Sequence, residues 1–106
     1  LALLRVGDVR SVLHRAALSQ DAVKNAPAVF VICAEYERTR RKYGGRAERY
    51  AHMEAGHAAQ NLLLQAAALD LAAVPIGAFT DNEVQKALAC PTTHAPLYVI
   101  PVGRPQ

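Results

Sequence analysis

With 106 residues the chain has room for one small domain around a single core, which excludes a multidomain arrangement. Hydrophobic content of 52% and charged content of 20% leave more apolar surface than so small a core needs, so a partner or further chain is expected to cover part of it. The net charge of +3 rests largely on one cluster, Arg38, Arg40, Arg41, Lys42, Arg46 and Arg49, and is therefore a local feature.

Asp8 is placed to cap a helix whose apolar face runs through Val9, Val12, Leu13, Ala16, Ala17 and Leu18. Ser19 and Gln20 break it, Asp21 caps a short turn over Ala22 to Asn25, and Pro27 ends helical structure. Ala28 to Ala34 (AVFVICA) is apolar on both faces and reads as an interior strand. A charged segment follows, and Tyr43-Gly44-Gly45 signals a turn.

Ala47 to Phe79 organises the rest. It reads as one long helix, a break near Asp70, then a short strand and turn. From Ala58 to Leu71 only Gln60, Asn61, Gln65 and Asp70 are polar, so the helix is expected to be buried centrally or in an interface. That run is too short to cross a bilayer. Ala72 to Ala78 is a second strand that Pro75 and Gly77 interrupt, leaving backbone N–H groups exposed. Asp81 caps a helix over Asn82 to Ala89, and Leu97 to Val102 is the third strand. Alternating helices and strands indicate an α/β or α+β layer.

Cys33 and Cys90 form no CxxC pair and read as buried thiols of a cytoplasmic protein. The apolar Leu1 to Leu4 has no basic region before it and no cleavage pattern, so no leader is expected. The chain starts at Leu, and a fragment of a longer precursor is expected.

Three clusters could carry chemistry. Glu54 and His57 make an ExxH pair, but a di-metal site needs a second such motif and further acids, so no metal is expected. The basic cluster is mixed with Glu35, Glu37 and Glu48 and lacks aromatics at binding spacing. It reads as a solvated helix entry or an anion site, with no nucleic acid as partner. Lys42 and Tyr43 stand side by side before two glycines, where an amine and a phenol can share a proton.

Taken together, the chain resembles the C-terminal half of an FMN-dependent nitroreductase-fold protein of the SagB-type (thiazole/oxazole-forming) dehydrogenase branch. The residues carrying the likeness are Gln20 with Asn25-Ala26-Pro27-Ala28, Arg41-Lys42-Tyr43-Gly44, Arg46-Ala47 and Arg49-Tyr50. Glu54 to Leu62, Leu64-Gln65-Ala66, Val74 to Phe79, Pro96-Leu97-Tyr98 and Pro101-Val102-Gly103 continue it. The resemblance implies an α+β fold with a long central helix and a small sheet, dimerising through that helix with FMN at the interface. Residues 1–106 would be the C-terminal part of the domain, without the N-terminal Arg-x-Ser-x-Arg clamp on FMN. It further implies that Pro75, Ile76, Gly77 and Ala78 face the flavin ring and that Arg104 meets the phosphate. Lys42 and Tyr43 would remove a proton while hydride passes to flavin N5. The substrate would be a small molecule or an azoline-bearing peptide. Relatives carry Gly-Leu-Gly after the central helix where this chain has Asp70-Leu71-Ala72, so Asp70 is expected to take the left-handed conformation. A non-catalytic dimerising half-domain without its own FMN site is the alternative, and a basic nucleic-acid module a weaker third reading.

Overall fold

Strand β3, Ala95–Gly103, is the longest in the sheet, and the other strands register against it. The computed structural model describes residues 7–105; the Leu1 to Leu4 stretch lies outside them. Within that range the order is α1 (Arg10–Ala16), α2 (Asp21–Asn25), β1 (Ala28–Ala34), α3 (Tyr36–Tyr43), α4 (Ala47–Ala68), β2 (Ala72–Ala73), α5 (Asp81–Leu88) and β3. The described strands form a three-stranded antiparallel sheet in the order β1-β3-β2. The architecture is α+β, as expected.

Alternation along β3 builds the core on both faces of the sheet. Val99, fully buried, joins Leu13, Ala16, Ala17, Val23, Ile76, Val84 and Ala87 beneath α1, α2 and α5. Ile100, also fully buried, joins Ala59 and Val102 beneath α4. This two-sided burial corrects the reading of Ala28 to Ala34. Val29 and Val31 pack against the first cluster and Ile32 against the second, yet β1 lies at the sheet edge among the described residues. An apolar run reports two covered faces; it says nothing of lateral position. Neither thiol is buried as expected: Cys33 is exposed beside a register shift in β1, and Cys90 is half-buried after α5.

Proline in a central strand needs an account, because it removes a ladder donor. The Pro101 carbonyl accepts from Val74 N–H at 3.3 Å, so the donor it lacks falls on the same side, toward β2. There Pro75 has already broken the ladder: β2 is two residues long, and pairing resumes only at the Ile76–Val99 bridge.

Helix α4 carries an i, i+4 stripe of alanines, Ala47, Ala51, Ala55 and Ala59, with Ala66 further on, all buried, and Ala59 packs against Ile100 and Val102 of the sheet. Small side chains let helix and strands approach closely. The opposite side of the helix is not covered. Met53 and Leu64, eleven residues or about three turns apart and so on one face, are 57% and 59% exposed. The expectation of a helix buried on most sides is therefore not met within one chain. α4 ends as expected: Asp70 takes φ 58°, Leu71 N–H reaches Ala66 O at 2.8 Å, and Asp70 N–H reaches Ala67 O at 3.1 Å. These are the two bonds of a Schellman motif.

Helix α3 fills the charged segment that the sequence reading left without an element. Ion pairs of Glu35 with Arg38 and of Glu37 with Arg40, three residues apart, support its first turns. It folds back on α4 as a helical hairpin, with the Tyr36 hydroxyl 2.8 Å from His52 Nε2 and Arg40 reaching Glu48 at 3.6 Å.

At the other end of the chain, Arg10 ties α1 to the start of β1. Its guanidinium donates to the Asp8 carboxylate and to Ala26 O at 2.7 Å, and the side-chain and backbone hydrogen bonds from Arg10 to Asp8 hold that carboxyl down at about 2. Gly103 closes β3 against Pro27, and a Cβ added there would lie 2.7 Å from Pro27 Cδ. Gly103→Ala is predicted to cost about 1–3 kcal/mol, because the proline ring cannot yield. Urea denaturation should show a lower midpoint at unchanged slope, and an unshifted midpoint would refute the contact.

Candidate functional site

The segment Pro75 to Phe79 is held at both ends and open in the middle. Ile76 N–H donates to Val99 O at 2.9 Å, and Ile76 O accepts from Val99 N–H at 3.0 Å. Downstream, Thr80 N–H donates to Ala16 O at 2.8 Å, while Gln20 Nε2 bridges Ala17 O at 2.9 Å and Ala78 O at 3.1 Å. The sequence reading expected free backbone donors along this segment. Pro75 has none and that of Ile76 is spent on the sheet, so the free donors are Gly77 and Ala78, with Phe79 after them, whose N–H groups meet no acceptor among the described residues. Gly77 and Ala78 are exposed, and no atom lies within 4 Å of where a Cβ on Gly77 would stand. A flat ligand can therefore approach this backbone closely.

Arg104 follows directly on β3. It is exposed and has no ion pair among the described residues. It lines a groove of about 440 Å³ with Asn25, Pro27, Val74, Pro101 and Gly103. Val99, which anchors Ile76, lies five residues before it, so at ~3.3 Å per residue the two ends stand roughly 17 Å apart along one strand. Two open N–H groups at one end and a free guanidinium at the other suit an extended ligand with a polar ring and an anionic tail.

Lys42 and Tyr43 lie elsewhere, at the tip of the α3–α4 hairpin. Lys42 Nζ sits 5.4 Å from the centroid of the Tyr43 ring, and Tyr43 meets Tyr50 edge-on at 5.1 Å. No hydrogen bond, ion pair or ring contact joins either residue to Pro75–Ala78 or Arg104 within the described chain. Glu54 and His57 do not converge: Glu54 lines a second groove, and His57 is exposed on α4 outside it.

That second groove, about 420 Å³, was not legible from any motif, because its walls come from β1, α3, α4 and the start of β3. Glu35 lies at its rim, 2.9 Å from Arg38 Nε and 3.6 Å from His94 Nε2. Desolvation, with the nearby Cys90, pushes the Cys33 thiol in its wall up to about 11. Among the described residues no helix is long and apolar enough to cross a membrane.

Comparison with known proteins locates this geometry. The sequence model described as the nitroreductase family matches residues 2–104. A nitroreductase-type protein of Methanocaldococcus jannaschii is 50% identical over 92 residues, which make up 87% of this chain and 46% of that protein. The crystal structure of a nitroreductase-type protein from Anabaena variabilis superposes with a TM-score of 0.89 at 36% identity, covering 96% of this chain and 21% of that one. An NADPH:FMN oxidoreductase from Vibrio harveyi, solved with NAD+, gives a TM-score of 0.79 at 27% identity over 95% of this chain and 48% of that one. The chain thus spans less than half the length of each of these relatives.

Proposed function

The chain belongs to the nitroreductase family, and on that premise we propose that it forms the C-terminal part of an FMN-dependent oxidoreductase of the SagB-type dehydrogenase class. The observation that carries this reading is the pairing, along one strand, of open Gly77 and Ala78 N–H groups with the free Arg104. FMN, when bound, supplies a ring that accepts or donates hydride at N5. Gly77 and Ala78 donate to the polar edge of that ring, with Pro75 and Ile76 holding the loop against the sheet. Arg104 pairs with the phosphate. The likeness to the NADPH:FMN oxidoreductase of Vibrio harveyi supports FMN as the cofactor.

Lys42 and Tyr43 take the substrate proton in this reading, which makes azoline oxidation in a peptide the favoured chemistry. Their distance from the loop in sequence and fold is then an argument for assembly. A second copy covering the Met53–Leu64 face of α4 would bury that apolar surface, and the substrate would meet Lys42 and Tyr43 in the assembled enzyme.

Three outcomes are expected. Arg104→Ala should weaken FMN binding by roughly tenfold, the loss of a charge-assisted contact, and leave riboflavin binding unchanged. Titration of intrinsic flavin fluorescence measures both, and an equal loss for the two ligands would remove Arg104 from the phosphate. Lys42→Ala in the assembled enzyme should abolish dehydrogenation with flavin still bound; activity near that of the parent would overturn the proton-removal role. Light scattering should give a dimer that Leu64→Lys converts to a monomer. A monomeric parent protein would rule out the α4 interface.

A further inference from the structure

The tip of the α3–α4 hairpin carries charge that the fold does not use. Along the hairpin shaft three acids have basic partners: Glu35 pairs with Arg38, and both Glu37 and Glu48 pair with Arg40. Around the Gly44–Arg46 turn, Arg41, Lys42, Arg46 and Arg49 are all exposed, and none has a carboxylate within ion-pair distance among the described residues.

Helix electrostatics explains only half of this cluster. Arg41 and Lys42 stand in the last turn of α3, where cations complement the partial negative charge of a helix C-terminus. Arg46 and Arg49 stand at the start of α4, where the partial charge is positive and a cation is unfavourable. The one acid of that first turn, Glu48, is turned to Arg40.

Two of these cations, Lys42 and Arg46, are also held in place by aromatic rings. Lys42 lies 5.4 Å over Tyr43, Tyr43 packs edge-on against Tyr50, and Arg46 lies 5.5 Å over Tyr50 while its Nε donates to the Tyr50 hydroxyl at 2.9 Å. This Lys-Tyr-Tyr-Arg stack holds its two charges apart from solvent disorder, so less side-chain freedom is lost when an anion binds. Tyr43 remains 46% exposed, which leaves an apolar surface between the charges. Folding brings the two rings together, since Tyr43 and Tyr50 are seven residues apart in the chain.

We infer that the hairpin tip is a recognition site for the acidic segment of a peptide, with carboxylates on Arg41, Arg46 and Arg49 beside the exposed Lys42–Tyr43 pair. None of these residues lines either groove, so the occupant lies across a projecting tip and does not enter a cleft. That geometry favours an extended chain over a small molecule. The cationic surface is confined to one short turn, which favours a few carboxylates over a long phosphate backbone. The inference rests on the peptide-oxidation reading for its biological sense, but its test does not require flavin or turnover.

The test is fluorescence anisotropy with the whole protein and a dye-labelled peptide of alternating Glu and Leu. Its Gln-for-Glu counterpart and a short oligothymidylate of equal charge are the controls. Binding to the Glu peptide should weaken steeply with added salt. The double variant Arg41→Ala/Arg49→Ala should bind it roughly five- to tenfold more weakly, as expected for two exposed ion pairs. The Gln peptide should not bind. No binding of the Glu peptide at low salt, equal binding of the Gln peptide, or an unaffected double variant would each overturn the site. Tighter binding of the oligothymidylate would overturn it in favour of a nucleic-acid surface. Peptide binding by a protein that retains no flavin would keep this site and count against the oxidoreductase reading alone.

Discussion

The alternation of Val99 and Ile100 on β3 is the constraint on which the rest of the structure depends. Two adjacent, fully buried side chains must point to opposite faces of a strand, and each therefore demands its own layer of helices. The α1, α2 and α5 layer answers the first, and α4 answers the second. The same two residues fix the candidate site, because Val99 exchanges both backbone hydrogen bonds with Ile76 and so sets where the Gly77–Ala78 donors emerge. Displacing β3 by one residue would exchange the two layers and carry the loop with them.

Helix α4 shows how one element can serve two surfaces. Its alanine stripe is small enough to lie against the sheet, and this close approach leaves the larger Met53 and Leu64 pointing away from the core. The helix is stabilised within the chain by packing along one narrow seam and offers its remaining apolar surface outward. Its N-terminal end, with α3, projects as a hairpin whose ion pairs are concentrated along the shaft. Charge at the tip is left uncompensated.

Several local features were legible because they depend on neighbouring residues alone. Asp70 ends α4 in the left-handed conformation, since the helix needs a residue there whose short polar side chain tolerates it. Pro75 and Gly77 break β2, as a missing donor and a missing side chain require. Helix α3 was not legible. Its residues are nearly all charged, and its stability comes from ion pairs and from docking on α4. The candidate flavin contacts were named on resemblance. Which of their N–H groups are free depended on the Ile76–Val99 bridge, a contact between segments more than twenty residues apart.

What the sequence determines by itself is the three strands and the helices other than α3, the breaks at Asp70 and Pro75, and family membership. These follow from backbone conformational preference and from side-chain periodicity, which act over a few residues. Only the tertiary structure decided that, among the described residues, β1 lies at the sheet edge and β3 between its neighbours. It also decided that Lys42 and Tyr43 stand apart from the Gly77 loop, and that Tyr43 and Tyr50 stack between cations. Lateral strand order and side-chain stacking are set by which distant surfaces bury one another, and no local pattern encodes that choice.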